Sequence, residues 1–521
     1  MSEKLDRGMF IAAFTYLVLP MVIFLLGWLT WFVAIPTTVI VLISYWLAIK
    51  NIDANWTFTI GRREWLIFVG AIVLIAIWVA FSGVGGLSFQ NSDHHYRNAI
   101  FRDLVERNWP VVYDFGNASD TNKVFLVYYI ALWLPAALVG KLLGWYAANL
   151  FLYFWVVIGI AMVGYFMCRT IKKISLPIIL ILIFFSGLDI LGYYFMSGRF
   201  PPITSHIESW TGIMQFSSNT TLLYWVFNQT IGPWLVISLM LNMENVKSLF
   251  FVYALCMLQG PFSFVGLIPF VLYKAFAKLP GAKKDKVKSF QKSMHALWQA
   301  FLRCLTFQNV AGGLTVLIIS YLYLSANLSG SKYTFHDVSK TYLIFILMDF
   351  GVLALLLYPT ERRNVNYWIA VVSLMIIPWI RVGFGGDFCM RVSIPALMIL
   401  MILVIHTLYK PVESLPQNVI MSKQKGRMKN KPIKPAKSTW HYAKAQKVAL
   451  CIVLLIGACT PILEMQRSVF NTLPYLNSPL DPKPYIANDI RSLNGLKHGM
   501  DTDNFVGSIN SSVFYQYFAK K

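Results

Sequence analysis

Charged side chains are scarce in this 521-residue sequence, and acidic ones are scarcer than basic ones. Charged residues make up 13% of the chain and apolar residues 57%, whereas a soluble domain normally carries about 25% charged residues. Asp and Glu number 23 against 45 Lys and Arg, which gives a formal net charge of +22. This composition excludes an ordinary soluble protein and predicts a membrane protein.

Cysteine is also sparse, and its spacing indicates no special chemistry. The six cysteines form no Cys-x-x-Cys pair and lie mostly in apolar stretches: Cys168, Cys256, Cys304, Cys389, Cys451 and Cys459. A structural zinc site needs closely spaced ligand pairs, and a disulfide framework is expected mainly in small secreted chains. Neither is therefore indicated.

Long apolar runs are abundant. Runs near 20 residues recur from about residue 9 to residue 465, and each can cross a hydrocarbon core of ~30 Å as a helix. We expect an all-α fold, a polytopic transmembrane helix bundle with about 11–14 spans. Two runs are interrupted, at Ser186-Gly187 and at Gln259-Gly260-Pro261. Such breaks are tolerated at membrane depth where they wall a cavity, so we interpret both as broken helices or short hairpins.

The positive charge is concentrated in two loops, which predicts the orientation of the chain. Residues 274–303 carry eight Lys or Arg against one acidic residue, and residues 410–447 carry ten against one. Short basic loops beside membrane spans stay in the cytoplasm and attract anionic lipid. Membrane lipids are thus expected as partners and nucleic acid is not. We expect a multi-pass protein of the cell membrane.

Counting spans from these loops divides the chain into four parts. Residues 1–87 are predicted N-terminal transmembrane helices, 88–121 an outer loop, 122–465 the main transmembrane bundle and 466–521 a short extracytoplasmic tail. Within the bundle, a polar loop after residue 195 contains His206 and Glu208 and is expected on the outer side.

The outer loop contains the most charge-dense segment between two apolar blocks, Ser92 to Pro110. At helical spacing Tyr96, Ile100 and Leu104 form one apolar stripe, with charged residues elsewhere around the wheel, which predicts an amphipathic helix at the membrane interface. Ser92 is the expected N-cap. Asp93 then lies in the first turn, where the helix dipole favours a carboxylate whether or not that residue is catalytic.

Three polar segments are expected to meet at the outer face. They contain Asp93, His94, His95 and Arg97; Asn122 and Lys123; and Arg381, Asp387 and Arg391. A carboxylate can take the proton of an attacking hydroxyl, and fixed cations can hold a departing phosphate. This combination predicts sugar transfer from a polyprenyl-phosphate donor, with Asp93 as general base. The candidates for phosphate or substrate binding are Arg97, Lys123, Arg391, Asp387, His94, His95, His206 and Glu208.

Each candidate also has a purely structural explanation. Asp387 and Arg391 are spaced i, i+4 and can pair with each other, while Arg97 and Lys123 can extend to the membrane interface. Gln229, inside an apolar run, is equally consistent with a hydrogen bond between helices. No cofactor is indicated. A divalent metal at Asp93, His94 and His95 stays open, although adjacent histidines on a helix point about 100° apart.

The segment from Ser92 to Tyr129 resembles the GT-C superfamily of integral-membrane glycosyltransferases, which includes protein O-mannosyltransferases and the lipid A aminoarabinose transferase. The resemblance lies in Ser92-Asp93-His94-His95-Tyr96-Arg97 after an N-terminal hydrophobic region, and in Asn122-Lys123 followed by Tyr128-Tyr129. The chain lacks the family's Pro after Lys123 and an Asp-Glu pair at Asp93, and it has three hydrophobic runs before the loop instead of one.

The resemblance implies an acidic catalytic residue at Asp93 and a glycosyltransferase that acts on a cell-envelope glycan or a lipid-linked acceptor. Two other classes remain as alternatives. One is a transporter or flippase for a lipid-linked or small anionic solute, with the broken helices forming its site. The other is a polysaccharide polymerase, which would share the outer loops and cations but use a lipid-diphosphate donor.

The charge bias yields a prediction about sidedness. Cysteines introduced in place of Asp93 and Asp387 should react with an impermeant thiol reagent from the non-cytoplasmic side, and cysteines at Lys284 and Lys429 from the cytoplasmic side. Labelling of position 93 from the cytoplasm alone would contradict both the topology and the proposed chemistry.

Overall fold

The computed structural model describes residues 2–54, 56, 61–115, 123–277, 298–329, 333–335, 339–382, 386–411, 437–476, 490–496 and 500–521. Helix accounts for 74% of the structure and strand for 4%, so the prediction of a helical protein is confirmed at the level of class. Asn122 and large parts of the two basic loops, residues 278–297 and 412–436, lie outside the described residues.

Eight helical segments in the described residues are long and apolar enough to cross a membrane. Five are single helices: α1 (Ser2–Trp28), α2 (Trp31–Lys50), α3 (Arg62–Ala80), α6 (Trp145–Ile171) and α9 (Asn219–Asn242). Three contain a break: α7 (Leu176–Phe184) with α8 (Asp189–Ser197), α14 (Lys340–Ile346) with α15 (Val352–Glu361), and α19 (Lys437–Gly457) with α20 (Cys459–Leu476). These segments are compatible with a multi-pass membrane protein.

Shorter helices complete the bundle. They are α4 (Ser92–Glu106), α5 (Leu134–Leu143), α10 (Leu249–Leu255), α11 (Pro261–Ala277), α12 (Trp298–Cys304), α13 (Gly313–Leu324), α16 (Val365–Ile376), α17 (Asp387–Val392), α18 (Ile394–Tyr409), α21 (Met500–Asp503) and α22 (Val513–Tyr517). Helix α12 and the segment Gln308–Leu324, which contains α13, meet at a bend of 76°, and this bent pair is a ninth candidate span when it is taken as one crossing. Both predicted interruptions are present, between α7 and α8 and between α10 and α11.

Helix α9 forms the centre of the bundle. Nearly all of its side chains are buried, because α1, α6, α11, α18 and α20 all pack against it. At one end of the bundle, the buried Asp6 of α1 accepts hydrogen bonds from Tyr165 (2.8 Å) and Arg169 (2.9 Å) of α6. Arg169 also contacts Asn242 at the end of α9 (3.2 Å). This network joins α1, α6 and α9 at one end of the bundle.

The described residues contain five short strands that were not expected from the sequence. Strands β1 (Val112–Asp114), β2 (Lys123–Leu126) and β5 (Val506–Ser508) form an antiparallel sheet with β2 in the middle. Strands β3 (Tyr333–Phe335) and β4 (Ile380–Val382) form a second pair. Runs of three or four residues are too short to show a period of two.

The end of the chain is part of the fold. Strand β5 pairs with β2, and Phe514 of α22 packs on Phe24, Phe125 and Tyr323. The backbone N–H of Lys520 then donates to the Trp28 carbonyl at the end of α1 (2.8 Å). The tail therefore covers the end of the bundle at which α1 finishes.

Helix α4 differs from the predicted interfacial helix in two respects. Its N-cap is Asn91 instead of Ser92, since the Asn91 side chain accepts a hydrogen bond from the Asp93 N–H (3.1 Å). Its polar face is also enclosed, because Arg97, Arg102 and Asp103 are buried together with the apolar stripe. The reason is that α5, α6 and the C-terminal segment pack around α4, so neighbouring protein covers surface that the sequence pattern assigns to solvent.

Asp103 joins α4 to the C-terminal segment, which yields a prediction about stability. Its buried carboxylate accepts hydrogen bonds from Tyr113 (3.0 Å), Ser492 (2.6 Å), the Leu493 N–H (3.0 Å) and Arg107 (3.0 Å). Asp103→Ala leaves these donors unsatisfied and should lower the free energy of unfolding by about 2–4 kcal/mol.

The matched control is Glu106→Ala on the same helix. Glu106 is 62% exposed and lies 3.9 Å from Arg102, so its loss should cost less than about 0.5 kcal/mol. Denaturant unfolding of both variants in detergent measures the difference. Equal stability of the two would show that the Asp103 network does not hold the tail.

Candidate active site

The first turn of α4 presents an ion pair at the end of the bundle. Asp93 Oδ2 lies 2.8 Å from Arg97 Nη2, with the Arg97 side chain 5% exposed and that of Asp93 42% exposed. The pair forms because residues four apart lie on one face of a helix. Asp93 is therefore the half of the pair that a substrate can reach.

A second pair of the same kind stands on the short helix α17. Asp387 Oδ2 lies 3.1 Å from Arg391 Nη2, and here too the carboxylate is open (54%) and the guanidinium is enclosed (10%). Phe262 lies beneath the Arg391 guanidinium at 6.0 Å, and Ser263 donates a hydrogen bond to the Arg391 carbonyl (3.0 Å). Helix α11 thus holds α17 in place.

The fold brings the two pairs into one cluster. The charge of Arg391 acts on Asp93 as well as on Asp387, and Tyr129, in the loop after β2, accepts a hydrogen bond from Arg391. We call Asp93, Arg97, Tyr129, Asp387 and Arg391 the paired-arginine cluster. It joins residues separated by almost 300 positions in the sequence.

Part of the guanidinium surface in this cluster is unused. Arg97 Nε and Nη1 and Arg391 Nε are buried and have no hydrogen-bond partner within the described residues. Buried guanidinium N–H groups are normally satisfied, and their planar arrangement matches the oxygens of a carboxylate or phosphate. The cluster is therefore arranged to accept an additional oxyanion.

Electrostatics keep Asp93 ionised. Burial would raise the pKa of Asp93, but Arg97, by charge and hydrogen bond, and the charge of Arg391 together hold the pKa below its ordinary value. Burial raises the pKa of Tyr129, so its phenol stays a hydrogen-bond donor at neutral pH. Asp93 is thus available to accept a proton.

The two histidines beside Asp93 have different positions. His94 is buried against Phe227, and its Nε2 lies 3.1 Å from the Tyr224 carbonyl of α9. Burial, helped by the charge of Arg97, lowers the pKa of His94 to about 3. A neutral imidazole here fixes α4 against α9. His95 is half-buried, and a phosphate contact from either histidine stays a prediction.

Lys123 is exposed at the first residue of β2, where it pairs with Asp114 in the sheet. Its assignment as a phosphate ligand stays a prediction. The same strand leads directly to Tyr128 and Tyr129, whose rings lie 4.4 Å apart. Tyr129 is the residue of this segment that reaches Arg391.

His206 is half-buried and Glu208 is buried, and each has its own hydrogen-bond partners although their charges act on each other. His206 Nδ1 is 2.5 Å from Glu464 Oε1 in α20, and Arg467 and Trp225 also contact this carboxylate. Glu208 accepts a hydrogen bond from the Ser218 N–H (2.8 Å). Burial, together with the charge of Asp189 and against that of His206, raises the pKa of Glu208 to about 7.

Sequence reasoning missed Tyr129 as a site residue, and it missed Glu464 and Arg467. A signal for Glu464 existed, since an acidic residue next to the last apolar run is costly unless it has a partner. Arg467 follows at i+3, the spacing of such a partner. Tyr129 stood in the sequence only as part of the Asn122-Lys123…Tyr128-Tyr129 motif, and its contact with Arg391 depends on the tertiary fold.

Within the part of the chain that the structure describes, no group of three or more His, Cys, Asp or Glu side chains is arranged to hold a metal ion. Comparison with protein-family models, with curated proteins and with solved structures finds no match to this chain. The class of the protein therefore rests on its own geometry: a helical bundle compatible with several membrane crossings, with a carboxylate and two enclosed arginines at one end.

Proposed function

We propose that the protein is a membrane glycosyltransferase that moves a sugar from a polyprenyl-phosphate donor to a cell-envelope glycan or a lipid-linked acceptor. One observation carries the proposal. The fold assembles an open, ionised Asp93 and two enclosed arginines with N–H groups that are unsatisfied within the described residues. Sugar transfer needs a group that accepts a proton and a site that holds an oxyanion, and these residues can supply both.

The reaction needs one proton acceptor and one anion site. Asp93 takes the proton of the acceptor hydroxyl as that oxygen bonds to the anomeric carbon of the sugar. The bond from that carbon to the phosphate oxygen breaks, and its electron pair leaves with the polyprenyl phosphate. Arg97 and Arg391 hold the negative charge that develops there, with Tyr129 as a further hydrogen-bond donor.

The shared arginines couple donor binding to the strength of the base. In the free protein their charges lower the pKa of Asp93, which makes it a weak base. A bound phosphate offsets those charges, so the pKa of Asp93 rises toward the range in which general bases work best. Proton transfer is therefore favoured after the donor has bound, which limits unproductive reaction with water.

A lipid donor also suits the proposed placement in the membrane. The eight long helices, the bent pair α12 and α13 and the shorter apolar helices together allow the expected 11–14 or so spans. The polyprenyl tail would lie among these helices while its phosphate reaches the cluster at the outer face of the cell membrane. The proposal assigns no cofactor.

A transporter is the second candidate, favoured by one observation. Three helix interruptions meet where Gly187 packs on the backbone of Asp349 and Gly457 on the Ser186 carbonyl. Asp189 and Asp349 are both buried there, and their carboxyl groups interact with each other. Buried acidic groups at broken helices are typical of transport pathways.

The proposal predicts a selective effect of Asp93→Asn. The amide keeps the size of the side chain but cannot accept the proton, so turnover should fall by ~10² to 10⁴ while folded yield changes little. Donor affinity should not fall, because the substitution removes a negative charge that opposes phosphate binding. The measurement is transfer of radiolabelled sugar from polyprenyl phosphate by protein in detergent, matched for folded material.

Asp387→Asn is the matched control, because it makes the same substitution in the equivalent pair on α17. It should retain far more turnover than Asp93→Asn. Retention of more than about half of the wild-type rate by Asp93→Asn would rule out Asp93 as the base. Uptake of a labelled solute by proteoliposomes, with no sugar transfer from any polyprenyl phosphate, would instead favour the transporter.

A further inference from the structure

Three buried carboxamides, on segments that contact the paired-arginine cluster, have no hydrogen-bond partner among the described residues. Asn228 and Gln229 of α9 and Gln259, just before α11, are each 1% exposed. All six of their amide nitrogen and oxygen atoms lack a hydrogen-bond partner among the described residues. Buried polar atoms are rarely left unsatisfied, because each costs a sizeable part of a protein's total stability.

These carboxamides do not act as links between helices. A hydrogen bond between helices would have explained Gln229, but both of its amide atoms are without such a bond in the part of the chain described. The backbone is irregular here as well, with non-helical angles at Val226 (φ −136°, ψ 34°) and a break at Gln259-Gly260-Pro261. Irregular backbone at membrane depth is typical of segments that line a polar cavity.

The three side chains lie close to one another. Asn228 and Gly232 are four residues apart on α9 and share a face of the helix. The Gln259 carboxamide rests directly on Gly232, where a β-carbon would collide with it. The backbone at Gly260 in turn approaches the Gln229 carbonyl.

The segments that carry the carboxamides also contact both halves of the paired-arginine cluster. Tyr224, four residues before Asn228, uses its carbonyl to hold Asn91 (2.8 Å) and His94 (3.1 Å) at the start of α4. Ser263, four residues after Gln259, donates to the Arg391 carbonyl (3.0 Å). The carboxamides and the two arginines therefore belong to one region of the fold, which suits a molecule with an anionic end and a neutral polar end.

We propose that Asn228, Gln229 and Gln259 bind a neutral, hydroxyl-rich sugar ring whose phosphate reaches Arg97 and Arg391. The inference rests on the proposed function and narrows its substrate class. Carboxamides offer donors and acceptors without charge, which matches hydroxyl groups. A ring with a carboxylate or an ammonium group would lack a counter-charge from these three residues and would be disfavoured.

The test compares probes that differ only in the ring, with the purified full-length protein in detergent. Calorimetry measures the affinities for inorganic phosphate, for the 1-phosphates of glucose, mannose and galactose, and for glucuronic acid 1-phosphate. At least one neutral hexose 1-phosphate should bind about tenfold more tightly than inorganic phosphate. Glucuronic acid 1-phosphate should show no such advantage.

Two variants test whether the carboxamides cause the tighter binding of a hexose 1-phosphate than of inorganic phosphate. Asn228→Leu and Gln259→Leu should each remove most of the advantage and leave the affinity for inorganic phosphate unchanged. Their melting temperatures without ligand should not fall, since they replace unsatisfied polar groups with apolar ones. Ser238→Ala is the control, because Ser238 is also buried on α9 with an unsatisfied hydroxyl among the described residues but lies beyond this group; it should keep the full advantage.

The outcomes separate this inference from the proposed function. The sugar site alone is overturned if inorganic phosphate binds as tightly as every hexose 1-phosphate. It is also overturned if both Leu variants still bind a hexose 1-phosphate more tightly than inorganic phosphate. Tighter binding of glucuronic acid 1-phosphate than of every neutral hexose 1-phosphate overturns the proposal that the site selects a neutral ring. Failure of every probe to bind overturns both the sugar site and the phosphate assignment of Arg97 and Arg391.

Discussion

One backbone oxygen, the carbonyl of Tyr224, holds the candidate active site together. It accepts hydrogen bonds from Asn91 and His94. Two side chains at the start of α4 are therefore bound to the same carbonyl of the central helix. Val226, two residues after Tyr224, departs from helical geometry, so the helix is irregular at the turn that follows this carbonyl. The orientation of Asp93 and Arg97 depends on this attachment.

The same contact explains the balance of charge around it. His94 is kept neutral by burial, so the cations next to Asp93 are the two arginines of the cluster. Each arginine is enclosed and paired with a more exposed aspartate, which leaves the cluster without net charge when empty. An incoming phosphate is then held by directed hydrogen bonds more than by net attraction, and its charge acts on both carboxylates.

Much of this arrangement was predictable from the sequence, for identifiable reasons. The long apolar runs predict the helices, and Gly and Pro predict the breaks before α8 and α11, because both signals are local. The i, i+4 spacing predicts the Asp387–Arg391 pair, and Asp93 and Arg97 form the same pair at the same spacing. Three features were not predictable: the burial of the polar face of α4, the sheet that takes up the chain terminus, and the contact of Tyr129 with Arg391. All three depend on which distant segments pack together, which no local pattern encodes.

The central claim is that Arg97 and Arg391 hold one phosphate between them. A double-mutant cycle tests it most directly, with equilibrium binding of a short-chain prenyl phosphate to wild type, Arg97→Ala, Arg391→Ala and the double variant. Each single variant should lose a charge-assisted contact of about 1.5–3 kcal/mol, and the double variant should lose less than the sum because the two contacts share one ligand. Unchanged affinity in either single variant would contradict the account.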